Sequence, residues 1–429
     1  MKKKISLSAC LILLVAAAFV SFQITYVTVS NKYEKEIYGL NKWQNLNSKL
    51  DGIENAASIK DSGNESWKDL YTSLAETDNY VRNYYIGKIN EQDLEDYLLS
   101  GYIYGIGDKY ASYMNKKEYE AYIMSTKTGS MVGIGVRIIY DNTLGGIYIT
   151  SVMPDSSAQE AGILPGDVII TVEGDKVSDL GYYNSYNLIK DGKEGESVNV
   201  EVATASSDYS EIKKISLQRR VVKKDTVQSH MLSDNVAYVN ILEFDETTSD
   251  EFVSQMKELQ KSGAKKYIFD VRNNPGGNVV GVKGVLDYLL PEGPIIKYYS
   301  NDGNIQTLNS DANEIVAPMI VLINGNTASG GELFAAALRD YQKATLVGTK
   351  TYGKGTMQTI IPLSNGGGIK LSTQMYDPPY GENYEGKGIE PDIKSDLVLP
   401  EDGNFYKLTE DQDSQLQEAI RLIKDVEAE

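Results

Sequence analysis

From about residue 219 the sequence alternates short apolar runs with helix-patterned stretches, and this alternation restricts the fold more than any other feature. VAYVNILEF (236–244) reads as a strand, TTSDEFVSQMKELQKSG (247–263) as a capped helix and KYIFDVR (266–272) as a buried strand. PMIVLING (318–325), a helix after Ser329 and ATLVGT (344–349) repeat the unit. Such alternation predicts an α/β core with a partly parallel sheet, in which sites form at the carboxyl ends of strands. Ser329 lies just beyond one such end, and Arg272-Asn273-Asn274-Pro275-Gly276-Gly277 beyond another.

What precedes the core divides into three further segments. Residues 5–29 carry no charge and follow Lys2, Lys3 and Lys4. That run exceeds the roughly 20 residues a helix needs to cross a bilayer, so residues 1–29 are expected to be a membrane anchor, with a cleaved signal peptide as the alternative. Either way the remaining domains are expected outside the cytoplasm. Residues 30–125 are rich in Tyr, Glu and Lys at helical spacing; Leu94, Tyr97, Leu98 and Tyr102 recur every three or four positions, and Asn90 precedes an acidic first turn. They predict a small helical domain or dimerising arm without chemistry of its own. After the core, residues 399–429 include SQLQEAIRLIKD, a final helix that is compatible with a homodimer.

Charge and rare residues exclude several functions. The formal net charge of −18 and the absence of a Lys/Arg cluster argue against a nucleic-acid partner. One cysteine, Cys10, and one histidine, His230, cannot supply the usual zinc ligand sets, so neither a metal nor another cofactor is expected.

Residues 126–218 have a different texture. GVRIIY, GIYITSVM, DVIITVEG and SVNVEVAT are short β-like runs separated by Gly, Asp, Asn and Pro. PDSSAQEAGILPGDVIITVEGDKV (154–177) places a short helix before a glycine turn and a strand, and this segment resembles a PDZ domain. In that resemblance Gly133, Ile134, Gly135 and Val136 form the loop that binds a terminal carboxylate. The glycines let successive backbone N–H groups converge on the anion while a peptide adds as a strand beside them.

The core poses a chemical problem in NGNTASGGELFAAALRD (324–340), where a serine stands before Gly330, Gly331 and a helix. His230 lies in a polar connecting segment, where a lone histidine is usually a surface residue. Asp, Glu, Lys and Tyr remain as bases, and lysine has precedent in Ser-Lys variants of the triad logic. Lys354 is held between Gly353 and Gly355, with Gln358 four residues on. A lysine with an ordinary pKa of about 10.4 is protonated at neutral pH, but burial depresses that value by several units. A lysine base therefore demands a dry site.

FDVRNNPGG, NGNTASGGELFAAALRD, TYGKGTMQ and GKGIEPDI occur in that order, and the set resembles the C-terminal processing, or tail-specific, proteases. The resemblance spans nearly all of the chain after residue 29. It implies an acyl-enzyme serine endopeptidase with Ser329 as nucleophile, Lys354 as base and Gln358 as its support, acting on proteins with apolar C-termini. Gly330 N–H is the natural first oxyanion donor; by resemblance the second comes from Gly276 or Gly277, with Gly276 preferred. Two departures stand out. Asp191 replaces an arginine that ends a PDZ helix in the family, with Lys190 as a substitute, and Gly330-Gly331 replace the usual Ala-Ser after the nucleophile. A non-catalytic, membrane-anchored PDZ scaffold and an acyl-transfer enzyme acting on thioesters are the rival classes.

Overall fold

The computed structural model describes residues 66–300, 303–400 and 403–426. The segment 5–29, expected to be an anchor or signal peptide, lies outside the described residues. No described helix is long and apolar enough to cross a membrane. The described residues divide into two compact units, one ending at Leu98 and the other beginning at Leu99.

In the first unit, helix Ser66–Tyr84 carries Arg82, whose guanidinium bridges Asp78 and Glu91 at 2.7 Å each. The next helix, Glu91–Gly105, is capped by Asn90, whose Oδ1 accepts from Gln92 N at 3.2 Å. Leu94, Tyr97, Leu98 and Tyr102, the face legible in the sequence, are all exposed, while Ile103 is the buried residue of this helix.

The second compact unit begins at Leu99, so it includes part of the segment 30–125 expected to be helical. Strand Ser112–Met114 pairs antiparallel with Gly368–Lys370, so this stretch is built into the core. Helix Lys116–Thr128 follows, with Asn115 accepting from Glu118 N at its start and Gly129 in the left-handed region at its end.

The PDZ-like module is an antiparallel sheet that closes over Ile147, Ile149, Ile169, Val198 and Leu217, apolar side chains alternating inward along their strands. Strand Val136–Asp141 forms one edge of this sheet. Helix Tyr182–Lys190 lies alongside, with Tyr182 and Tyr140 in edge contact at 6.1 Å. An edge strand with unpaired backbone groups beside a helix is the form that strand addition requires.

The core sheet runs in the order Val227–Met231, Val236–Ile241, Lys266–Asp270, Met319–Ile323, Ala344–Gly348 and Ile393–Lys394. Its first pair is antiparallel and the rest are parallel, in agreement with the partly parallel sheet expected. Met319–Ile323 is buried throughout because helices cover both faces. One face packs against helix Thr248–Lys261 through Phe252, Met256 and Leu259 and against helix Gly330–Asp340. The other receives Leu416, Ala419 and Ile423 of helix Ser414–Lys424. The apolar stripe of that final helix, considered for a dimer, is thus packed on its own core.

A second, antiparallel sheet has no counterpart in the sequence reading. It joins Ser112–Met114, Thr356–Pro362, Gly368–Asp377, Gly293–Ser300 and Ile305–Ser310.

Arg272 ties the C-terminal helix to the first core strands. It is 1% exposed and pairs at 2.6 Å with both Asp270 and Asp413, while Gln415 accepts from it at 3.1 Å and Tyr238 donates to Asp270. Removing a buried charge from between its partners leaves them uncompensated. Arg272→Gln is therefore expected to lower unfolding stability by about 3–5 kcal/mol in urea titrations; a loss under about 1 kcal/mol would refute this role.

Candidate active site

Ser329 sits in the turn between strand Met319–Ile323 and helix Gly330–Asp340, with φ 51° and ψ −113°. Such a backbone is strained for a residue with a side chain, at a cost of about 1–3 kcal/mol that surrounding contacts must overcome. The main contact here is Glu332, three residues on and fully buried. Its carboxylate accepts from Ser329 N at 2.9 Å, Gly353 N at 2.7 Å, Lys354 N at 2.8 Å and Thr351 Oγ1 at 2.5 Å. One side chain thus binds both the serine turn and the Lys354 loop. Burial pushes its pKa up, and the four donors offset part of that rise. The sequence reading missed this residue, although Ser-x-x-Glu at the start of a helix is the spacing of a capping box.

The glycine turn closes on the same corner. A Cβ placed on Gly276 would lie 2.6 Å from Gly330 N and 2.7 Å from Ser329 Cβ, and its φ of 93° already disfavours a side chain. Gly276 N, preferred in the sequence as an oxyanion donor, instead donates to Asn274 Oδ1 at 2.7 Å. Gly277 N and Gly330 N have no acceptor among the described residues. The donor pair that the geometry leaves open is therefore Gly277 and Gly330. Gly277 is fixed by Phe244, whose carbonyl accepts from Asn278 N at 2.7 Å and whose N–H donates to Gly276 O at 2.9 Å.

Two tyrosines fill the space behind Ser329. Tyr384 Oη donates to Tyr376 Oη at 2.9 Å, and Tyr376 Oη to the Lys354 carbonyl, also at 2.9 Å. Burial pushes both phenols up, and hydrogen bonds to Tyr384 and to the Ser329 hydroxyl offset only part of the rise at Tyr376. Both remain protonated at neutral pH.

Lys354 is half-buried, and desolvation, helped by the nearby Lys370, lowers its pKa against the opposing pull of Glu385, Asp108 and Glu332. Its Nζ stands 4.7 Å from the centre of the Tyr110 ring. Gln358, on the bulged strand Thr356–Pro362, donates to Ser372 Oγ at 3.1 Å and to Thr356 Oγ1 at 3.2 Å. Among the described residues no hydrogen bond joins Lys354 Nζ to Ser329 Oγ or to the Gln358 amide. His230 lies on the antiparallel edge strand of the core sheet, with its Nε2 at 2.6 Å from Glu410 and its ring 5.2 Å from Tyr238. It is committed elsewhere.

In the PDZ-like module Gly133 ends one strand and Val136 begins the edge strand, with Ile134 buried between them. The Ile134 and Gly135 carbonyls turn inward to accept from Ala158 N and Met153 N, and their N–H groups have no acceptor among the described residues. Gly135, at φ 82°, lies so close to Ser156 that a Cβ would fall 2.1 Å from Ser156 Cβ. Asp191 contacts Lys117 at 3.3 Å, Lys190 lies 5.6 Å from the Tyr186 ring, and the end of helix Tyr182–Lys190 is capped by the buried Arg219, which donates to the Leu188 and Ile189 carbonyls. The far end of the edge strand opens into a cleft of about 460 Å³, where Tyr140, Asp141 and Asn142 face Asn273, Pro275 and Asn326 of the core.

Among the described residues no cluster of His, Cys, Asp and Glu is arranged to hold a metal ion.

Comparison with known proteins gives two matching family models: peptidase family S41 over residues 235–395 and PDZ domain over residues 122–203. The carboxy-terminal processing protease CtpA of Bacillus subtilis (strain 168) is 31% identical over 319 residues, covering 74% of this chain and 67% of that protein. The carboxy-terminal-processing protease of Bartonella bacilliformis is 30% identical over 336 residues, covering 77% and 76%. In fold, the chain is similar to a solved structure from Bacteroides fragilis NCTC 9343 described as an S41 protease, with a TM-score of 0.51 at 16% identity over 75% of this chain and 87% of that one.

Glu332→Gln replaces one of two acceptor oxygens with an amide NH2 donor that faces existing donors. It is expected to cost about 1–3 kcal/mol of stability and to accelerate hydrogen exchange at the Ser329, Gly353 and Lys354 amides together. Unchanged protection at these amides would show that the carboxylate does not hold the two loops.

Proposed function

The chain belongs to the carboxy-terminal processing proteases of peptidase family S41, and from that premise we propose that Ser329 and Lys354 are its nucleophile and base, acting on protein tails captured by the PDZ-like module. The observation that carries this reading is the shared grip of Glu332 on the Ser329 and Lys354 backbones. It brings a strained serine and a half-buried lysine to one corner. Elimination supports it: Tyr376 and Tyr384 are held as phenols, the Glu332 carboxylate is filled with donors, and His230 is bound to Glu410. Lys354 is the group beside Ser329 whose proton affinity is lowered.

In the proposed reaction the neutral Lys354 amine takes the Ser329 hydroxyl proton as Oγ attacks the scissile carbonyl carbon. The oxyanion receives hydrogen bonds from Gly330 N and Gly277 N. Lys354 returns the proton to the leaving amine, and water then attacks the acyl-enzyme by the same route. Gln358 supports the amine through Oε1, which accepts no hydrogen bond among the described residues.

Delivery follows from chain direction. A carboxylate held by the Ile134 and Gly135 N–H groups sits at the start of strand Val136–Asp141, so a peptide added to this edge runs antiparallel to it. Residues upstream of the tail then pass Tyr140 and Asp141 into the cleft beside Asn273 and Pro275. Six residues of strand span about 20 Å. The apolar surroundings of Ile134, Val136, Ile138 and Ile189 favour apolar tails. We also assign residues 5–29 as an anchor that leaves the catalytic domains outside the cytoplasm, a reading supported by their uncharged run after three lysines.

With an unfolded protein bearing an apolar tail, mass spectrometry is expected to show cleavage by the full chain and a loss of at least about 10³-fold in Ser329→Ala and Lys354→Ala. His230→Ala is expected to cleave normally. Full activity of Lys354→Ala would overturn the base assignment. Because the neutral amine is the reactive form, activity should rise with pH along a limb centred below 10.5, the ordinary lysine value.

A further inference from the structure

The segment Asp108-Lys109-Tyr110 lies outside both family-model matches, yet it contacts Lys354 and the residues that hold Gln358 and the Lys354 loop. Asp108 Oδ2 accepts from Ser372 N at 3.0 Å, and Ser372 Oγ accepts from the Gln358 amide at 3.1 Å. Tyr110 Oη donates to Glu385 Oε1 at 3.2 Å, while Glu385 Oε2 accepts from Gly355 N at 2.8 Å, next to Lys354. Lys109 Nζ reaches the same carboxylate at 3.4 Å. Between these two attachments the Tyr110 ring faces Lys354 Nζ at 4.7 Å.

We propose that Tyr110 is a positioning residue for the reaction: its ring docks the ammonium form of Lys354 away from Ser329 and releases the amine when it loses its proton. The inference rests on Lys354 being the base. An aromatic face attracts a cation within about 6 Å of its centroid and has no comparable hold on a neutral amine. Docking is therefore coupled to protonation. The proton leaves Lys354 for solvent, the attraction to the ring disappears, and the freed amine accepts the next proton from Ser329 Oγ. This account agrees with the absence of a Lys354–Ser329 hydrogen bond among the described residues. The charged groups facing the amine are Lys370 on strand Gly368–Asp377, Glu385, Asp108 and Glu332, and the ring, which also has Lys109 Nζ 4.6 Å from its centre, acts alongside these.

Removing the ring removes one stabiliser of the charged form, so the amine's pKa falls. In Tyr110→Leu, which keeps apolar bulk, the acid limb of kcat/KM is expected to move about 0.5–1 pH unit lower, making the variant about 3–10-fold faster than wild type well below the limb. Tyr110→Phe keeps the ring and loses the bond to Glu385, and its limb is expected to stay at the wild-type position. A lower plateau with an unmoved limb in Tyr110→Leu would mean a structural role only and would overturn the proposal. A measurement on the Ser329→Ala chain needs no change at Tyr110. The Lys354 ε-methylene proton resonances are expected to carry an upfield ring-current shift at pH below the amine's titration and to lose it above. Unshifted resonances at low pH would equally overturn it. Should Lys354→Ala retain activity, the base reading falls instead, and the ring-current titration still reports whether the amine docks.

Discussion

The arrangement of this centre depends on one buried carboxylate. The strands Met319–Ile323 and Ala344–Gly348 are parallel neighbours, so the segments leaving their carboxyl ends emerge side by side, one leading to Ser329 and the other to Lys354. Adjacency alone does not fix two loops. Glu332 does so by accepting from both, and its place in the first turn of a helix puts negative charge where the helix macrodipole favours it. Three backbone N–H groups and the Thr351 hydroxyl would otherwise be buried without acceptors, so the strained φ of Ser329 is held by hydrogen bonds that have no alternative partner.

A contiguous set of contacts also runs from the PDZ-like module to the glycine turn. Arg137, on the edge strand Val136–Asp141, donates to Glu243 at 2.9 Å and to the Asp225 carbonyl at 2.8 Å. The largely buried Lys224 lies 3.4 Å from both Glu243 and Asp245. Between those acids is Phe244, whose backbone fixes Gly276 and Asn278. The edge strand and the turn bearing Gly277 are thus joined through charged pairs that are partly or largely withdrawn from water, where Coulombic attraction is less screened than at the surface.

Much of this was legible in the sequence because it depends on local pattern. The parallel core followed from strand and helix periodicity, and the PDZ-like sheet from alternation between glycine turns. Ser329, Lys354 and Gln358 were singled out by their motifs, and the structure brings the backbones of the first two to one carboxylate while directing the Gln358 amide to Ser372. What was illegible depends on distant partners. Nothing near Ser112–Met114 announces that it pairs with residues 368–370. Glycine spacing could not decide between Gly276 and Gly277, because the choice turns on the Asn274 side chain taking the Gly276 N–H. The stripe of Leu94, Tyr97, Leu98 and Tyr102 has helical periodicity but no covering partner among the described residues, which a one-dimensional pattern does not reveal.

The single histidine takes on a definite meaning in this setting. An imidazole titrates near neutrality unaided, whereas a lysine must be desolvated before it can work as a base. On the proposed mechanism that requirement falls on Lys354, which is half-buried and has the Tyr110 ring 4.7 Å from its amine. Burial disfavours the ammonium, while the π face of Tyr110 favours it. Such opposition gives the lysine two well-defined states, a docked cation and a free amine, where desolvation alone would give one. On the proposed mechanism, the use of lysine thus makes the base's position, as well as its charge, depend on protonation.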